Sequence, residues 1–581
     1  MSVSDNNSRR AAAKLFSREL LEFCQSDFLS EKGLRKIIER HGNIYRQVSS
    51  YQFFLEACYN ERVTERVIEC LLEYFSAAAK ATNKKGSSPL HLVCYNKNVK
   101  LNIVQLLIDA APDALRSVNS TGRMPLHCLC LNRKVDEVIA LEILKLLIEK
   151  HPEAAQHATN QGCLPIHIAS RKKNVTLDII QLLIDAAPDS VRSVDADGDT
   201  PLHDLCRNEE LDERAAMEIL KLVIEKHPEA IQHVNNEGVF PIHCAGYGRK
   251  TPAFCRVLIE AYPGPERMTD VDGRLPIHYA CMDNTVATLQ YLYKLHPDTI
   301  HHRTTDGYCP IHYAIGSIRH RDNTRHYVDM VKFLLDCDPS VKLQKHRRKS
   351  LLYYACHLSY NDSNIEAALE IIEAIYDAYP EAIEDNTITS TIESYHQQVQ
   401  SFISSQLVYA RQAKDLHLMM TPDDNGQLPL HTALQNDVTL GSIKLLVKGN
   451  PSALQSPDNN DTLPLHMACQ HHESSHVVQY LVEQDTTALD AVDMGGNTAL
   501  HYACRGANYE TIAMLMEKYG AASVSKRNAR GKLPIDLLLV SDRGSERESV
   551  EYIESAFRLL KACPETLMNY NIPRQQANTA G

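Results

Sequence analysis

Tryptophan is absent from the 581 residues, and no apolar run approaches the roughly 20 residues needed to cross a bilayer. No membrane insertion is therefore expected. The opening stretch, MSVSDNNSRRAAAKLFSREL, carries no apolar segment of signal-peptide length. The 17 cysteines are odd in number and form no Cys-x-x-Cys pair. These features predict a soluble protein of a reducing compartment with mostly buried thiols. Basic charge is in deficit too: the formal net charge is -12, against general nucleic-acid binding, which needs a basic surface. No P-loop, dinucleotide-type Gly-rich loop, kinase signature or Gly-x-Ser-x-Gly elbow occurs. No catalytic residue, cofactor, metal site or small-molecule substrate is expected.

What the sequence does contain is repetition. Pro-Leu/Ile-His recurs from Pro89, Pro125, Pro165, Pro201, Pro241, Pro276, Pro310, Pro429 and Pro464, with degenerate copies at Leu351, Ala499 and Pro534. Each unit reads alike. Pro opens a short apolar helix, since its missing N–H would be unpaired in the first turn anyway. A polar turn follows, then a second helix such as NIVQLLIDAAP, whose Ile103, Val104, Leu107 and Ile108 form one stripe. That helix should stop near Pro112 and lead through an extended stretch (Leu115, Val118) to an Asn/Asp-x-x-Gly turn. Such turns span Asn119–Gly122, Asp195–Gly198, Asn235–Gly238, Asp270–Gly273, Asp423–Gly426 and Asn528–Gly531. A helix pair cannot bury its stripe alone, so stacked neighbours must share one elongated core.

The unit resembles the ankyrin repeat, with its Gly-x-Thr-Pro-Leu-His hallmark, two antiparallel helices and a β-hairpin finger; GDTPLH, Gly198–His203, matches it fully. The resemblance covers roughly residues 50–565 and implies an all-α solenoid of roughly 12–15 repeats with short β-hairpin fingers. Two departures are visible. The family Thr is replaced by Met124, Leu164, Phe240, Leu275, Leu428 and Leu463, and Gly-Ala-Asp after the second helix by Pro-Asp/Glu-Ala, as in PDAL and PEAI. The first change should remove the Thr–His hydrogen bonds expected between typical repeats.

QLLIDAAPD at Gln105 returns at Gln181, and EILKLLIEKHPEA at Glu142 returns nearly unchanged at Glu218. We read this as tandem duplication of a repeat pair. Its longer member carries four extra residues, placed between the helices near Val135 and Asp212, on the rim away from the fingers. The expected organisation is a disordered start (1–10), degenerate capping repeats (11–88), a main stack (89–384), an irregular segment (385–420), further repeats (421–569) and a loose tail (570–581). Leu15–Cys24 and Leu34–His41 read as a capping helix pair. The irregular segment fits either a degenerate repeat or, as favoured here, one long helix interrupting the stack, with the solenoid dividing there.

Chemistry-bearing motifs have plainer readings. His472–His476, HESSH, matches the zinc-protease pattern His-Glu-x-x-His, which needs both histidines on one helix. Alignment with neighbouring repeats makes it straddle a turn instead. The His-x-x-Cys pairs His91/Cys94, His278/Cys281, His466/Cys469 and His501/Cys504 supply half a zinc site each and are better read as structural histidines and buried thiols. A hidden enzyme in the irregular segment would have His396, His417 and a few carboxylates, without a recognisable constellation.

The segment His301–Ser350 is basic inside an acidic chain: Arg303, Arg319, Arg321, Arg325, Lys332, Lys342, Lys345, Arg347, Arg348 and Lys349. Its run KHRRK falls where a fingertip should be. A solvated tip is the default; a docking patch for an acidic partner and a nuclear-import signal are the alternatives. The residues proposed to contact a partner are Arg319, Arg321, Arg325, Lys345, Arg347, Arg348 and Lys349. The resemblance implies a non-enzymatic scaffold or adaptor that binds another protein on its concave face of fingers and first helices. A regulatory subunit that inhibits or localises an enzyme or transcription factor is the alternative. A cytoplasmic location is expected, or a nuclear one if the basic run is an import signal.

Overall fold

The computed structural model describes residues 3–562 apart from 49, 320–323, 339, 437, 473, 520–523 and 541–549. The tail expected to be loose, 570–581, lies outside them. Contacts divide the chain into two units, Met1–Ser317 and Ile318–Gly581.

Most repeats of the first unit share one form. A first helix of six to eight residues begins at its Pro, as in Pro125–Leu131 and Pro165–Ser170. A second helix follows, such as Leu101–Ala110, which buries Ile103, Val104, Leu107 and Ile108. The residue after it is extended (Ala111, φ -148°), and Pro112 opens a 3-10 turn, Pro112–Arg116, rather than the extended stretch expected at Leu115. Pro suits that first position because no N–H is needed there. Then comes the Asx turn: Asn119 Oδ1 accepts from the N–H groups of Thr121 (2.9 Å) and Arg123 (3.1 Å). Gly198 shows why the turn ends in glycine. Its φ is +79°, and a Cβ there would lie 2.8 Å from the backbone nitrogen of Asn236.

The four extra residues of the longer repeats are helical. Five residues separate the two helices both in Pro89–Tyr95/Leu101–Ala110 and in Pro125–Leu131/Glu137–Lys150. The second helix instead grows from 10 residues to 14, in Glu137–Lys150 and again in Glu213–Lys226. Four residues make about one α-helical turn, so the apolar stripe keeps its direction. Asp136 and Asp212 cap the added turns through their carboxylates.

The stack starts with helices Val3–Gln25 and Glu31–His41, which bury Phe16, Leu20, Cys24, Leu34, Ile37 and Ile38 against the pair Gln52–Tyr59 and Glu65–Tyr74. Residues 3–10 are therefore helical where disorder was expected; they prolong a helix whose later turns are anchored in the core. That core is continuous from Phe16 to Leu258. At about 25 cal/mol per Å² of apolar area, each added repeat contributes several buried side chains' worth of stabilisation.

In the second unit the irregular segment is not one long helix. Asp385 caps Asn386–Thr391, and His396 starts the separate 16-residue helix Gln397–Gln412. Leu416–Met420 follows, ahead of the turn at Asp423. The segment does not divide the stack either. Helix Ile365–Ala378 packs directly on Leu440–Gly449 across it: Tyr376 Oη lies 2.9 Å from Ser442 Oγ, Asp377 Oδ1 accepts from the Gly441 N–H (2.6 Å), and Lys444 Nζ donates to the Asp377 carbonyl (2.7 Å). The division falls instead after Ser317.

Candidate functional site

The repeated histidine is the hub of the first-helix face. In the repeat opened by Pro201, the backbone N–H of Thr200 (3.2 Å) and its hydroxyl (2.8 Å) both donate to His203 Nδ1. Nδ1 being an acceptor, Nε2 carries the proton and donates to the carbonyl of Val239 in the next repeat (3.0 Å). The Thr–His bond is thus internal to a repeat, and the link between repeats is the bond from Nε2. Ser88 and Thr498 repeat the hydroxyl contact. Where the Thr is replaced, as at Met124 and Leu164, the backbone N–H still reaches the ring at 3.1 Å and the inter-repeat bond survives. Burial holds the rings of His127, His167, His203 and His243 neutral, pushing them down to about 4.

This also settles the His-x-x-Cys pairs. Both ring nitrogens of His91, His278, His466 and His501 are engaged in hydrogen bonds. Cys94, Cys281, Cys469 and Cys504 are fully buried, and burial raises their thiols out of the thiolate range. His472 precedes helix Ser475–Gln484, on which His476 sits, so the two histidines of HESSH share no helix; Glu473 lies outside the described residues. His472 Nε2 instead lies 2.8 Å from the Val438 carbonyl.

Two further ladders join the repeats. At the fingers, Asn160 N–H donates to Thr121 O, Ala196 to Gln161 and Asn236 to Asp197, at 2.9–3.1 Å. At the opposite end of the first helices, Asn96 Nδ2 donates to the carbonyls of Cys58 (3.1 Å) and Asn60 (2.8 Å) in the preceding repeat. Asn60, Asn132, Asn208 and Asn284 do the same. These amides satisfy carbonyls that a helix C-terminus leaves without partners. Sequence reasoning missed this ladder, although asparagine 36 residues apart at 60, 96 and 132 is its signature.

The turns and first helices of the first unit enclose a cavity of about 440 Å³ between the repeats opened by Pro125, Pro165 and Pro201. Arg171 crosses its floor, donating to Asp195 Oδ2 and Asp204 Oδ1, each at 2.7 Å. Asp204 is only 2% exposed, and its Oδ2 has no partner. Burial pushes its carboxyl up to about 7 against the pull of Arg171.

In the second unit, the basic run forms a hairpin: Lys345–His346 pairs antiparallel with Lys349–Ser350. It is the one strand pair among the described residues. Arg347 (φ +48°) and Arg348 (φ +67°) form its two-residue turn and are both exposed. Lys345 is exposed, while Lys349 Nζ lies 3.7 Å from the centre of the Tyr353 ring. The other basic candidates are placed differently. Arg325 donates to both oxygens of Glu370 (2.8 and 2.9 Å), with Lys332 Nζ 3.6 Å from the same carboxylate. Arg319 is exposed after the helix Pro310–Ser317, and Arg321 lies outside the described residues. Within this unit the structure thus gathers Lys345, Arg347, Arg348 and Lys349 on one hairpin and ties Arg325 into a local ion pair.

Comparison with the curated proteins finds no match. The family model described as ankyrin repeats matches residues 54–151, 242–342, 391–488 and 430–528, more than half of the chain. With a helix pair, Asx turn and inter-repeat histidine bond recurring in register, the chain belongs to the ankyrin-repeat family.

Proposed function

We propose that this chain is a non-enzymatic scaffold or adaptor, holding a partner protein against the face made by its turns and first helices. The observation that supports a contact in the second unit is the turn at Arg347 and Arg348. Two consecutive non-glycine residues with positive φ cost about 1–2 kcal/mol each, and Asn-Gly would fill such a turn without strain. Keeping two exposed arginines there favours a role in contact over one in folding. Acidic partners fit this tip by charge.

The test replaces the turn by R347N/R348G. Partner capture from a native extract should weaken while thermal stability rises. Unchanged capture by the more stable variant would remove the tip from the binding surface.

A further inference from the structure

The cavity of the first unit holds two cationic groups without partners. Lys172 is only 4% exposed, yet its ammonium makes no hydrogen bond or ion pair among the described residues. Burial depresses its basicity accordingly. The Nε of Arg123, which lines the same cavity, is buried and without a partner. Arg133 stands at the rim, 3.3 Å from Glu210, and Arg171 is consumed by Asp195 and Asp204.

Lys172 is anomalous for its position. The corresponding residues Asn96, Asn132 and Asn208 bind carbonyls of the preceding repeat. Lys250, the other lysine at this register, does so as well, donating to Asn208 O at 2.6 Å. Lys172 thus gives up a structural bond and keeps its ammonium on the cavity instead. A ligand that supplies the missing negative charge accounts for both it and Arg123.

We infer that this cavity receives an acidic side chain of a partner protein, its carboxylate seated between the ammonium of Lys172 and the guanidinium of Arg123. The volume suits one or two side chains, which makes an extended acidic segment the occupant. With only Lys172 and Arg123 unanswered and the carboxylates of Asp195 and Asp197 on the same wall, the cavity fits a single carboxylate rather than the continuous run of charge along a nucleic-acid backbone. The inference rests on the scaffold reading above, and it places a second contact on the first unit, separate from the Arg347–Arg348 tip.

The test uses the full chain and fluorescently labelled octaglutamate, octaglutamine and a single-stranded oligonucleotide, followed by fluorescence anisotropy. Octaglutamate should bind and octaglutamine should not. The key variant is K172N, which installs the residue that fits the carbonyl ladder and so keeps the fold intact. It should weaken octaglutamate binding at least tenfold while raising the melting temperature; R123Q should weaken it too. R347N/R348G reports on the other contact. Octaglutamate binding that survives K172N but falls in R347N/R348G would overturn the cavity site and leave the scaffold reading standing. No binding of octaglutamate, or tighter binding of the oligonucleotide, would overturn the carboxylate pocket as well.

Discussion

Acid should loosen the first unit well above the pH at which carboxylates are protonated. His127, His167, His203 and His243 each accept a backbone N–H at Nδ1. Protonating that nitrogen abolishes the bond and places a charge where burial has pushed the ring down to about 4. In the unfolded chain the ring titrates near 6.5. The unfolded state therefore binds more protons between these values. The stabilisation is complete above about 6.5 and is lost progressively as pH falls towards 4. At pH 5 the loss is about 2 kcal/mol for each ring, or about 8 kcal/mol for four acting independently. Asp204 opposes this: its carboxyl, raised to about 7, costs less as pH falls, returning about 2 kcal/mol between pH 7.5 and 5. A net loss of about 5–6 kcal/mol rivals the whole stability of an ordinary domain. Urea unfolding followed by far-ultraviolet circular dichroism at half-unit steps from pH 7.5 to 4.5 should show the midpoint collapsing between 6.5 and 5. A midpoint unchanged across that range would refute the neutral, doubly bonded ring as the joint between repeats.

Other variants probe single contacts. Thr200→Val removes the hydroxyl donated to His203 and should cost about 1 kcal/mol by chemical denaturation, without altering the helical signal. Asn132→Ala leaves the carbonyls of Cys94 and Asn96 without their amide; a loss of about 2–3 kcal/mol is expected in the same assay. Gly441→Ala drives a methyl to 2.7 Å from the Tyr376 ring and 3.0 Å from its carbonyl, so overpacking should destabilise the second unit by about 1–3 kcal/mol, seen as a lower melting temperature. A neutral result there would mean that the helix Leu440–Gly449 does not rest on Ile365–Ala378.

The periodic part of the fold was legible because its signals are local. Pro at the first helical position, the stripe of Ile103, Val104, Leu107 and Ile108, and the Asx-x-x-Gly turn each act within a few residues. What escaped the sequence depends on the neighbouring repeat. The role of Asn96 is invisible until the carbonyls of Cys58 and Asn60 are brought beside it, and the strain at Arg347 and Arg348 is a property of backbone angles. The four-residue insertion was located near Val135 and Asp212 but read as a longer connection, because no Pro or Gly between Asn132 and Ala140, or between Asn208 and Ala216, marks where the second helix begins. The single long helix expected in the irregular segment failed for a related reason: neither Pro nor Gly marks the break at Tyr395–His396, where capping by the His396 ring starts the next helix. Of the basic segment, charge alone could not separate Arg325, which is answered by Glu370, from Arg347 and Arg348 at the tip.

The longer second helices carry a rule for how such a chain can change size. Glu137–Lys150 and Glu213–Lys226 exceed their neighbours by four residues and keep both the capping aspartate and the buried face. An insertion of two residues would rotate every later side chain by about 200°, turning the greasy side outward. Growth by a whole turn leaves the seam untouched and merely raises a step on the outside. Repeats of this architecture can therefore lengthen by a whole turn at no cost to the seam, and the two opened by Pro125 and Pro201 have each taken one.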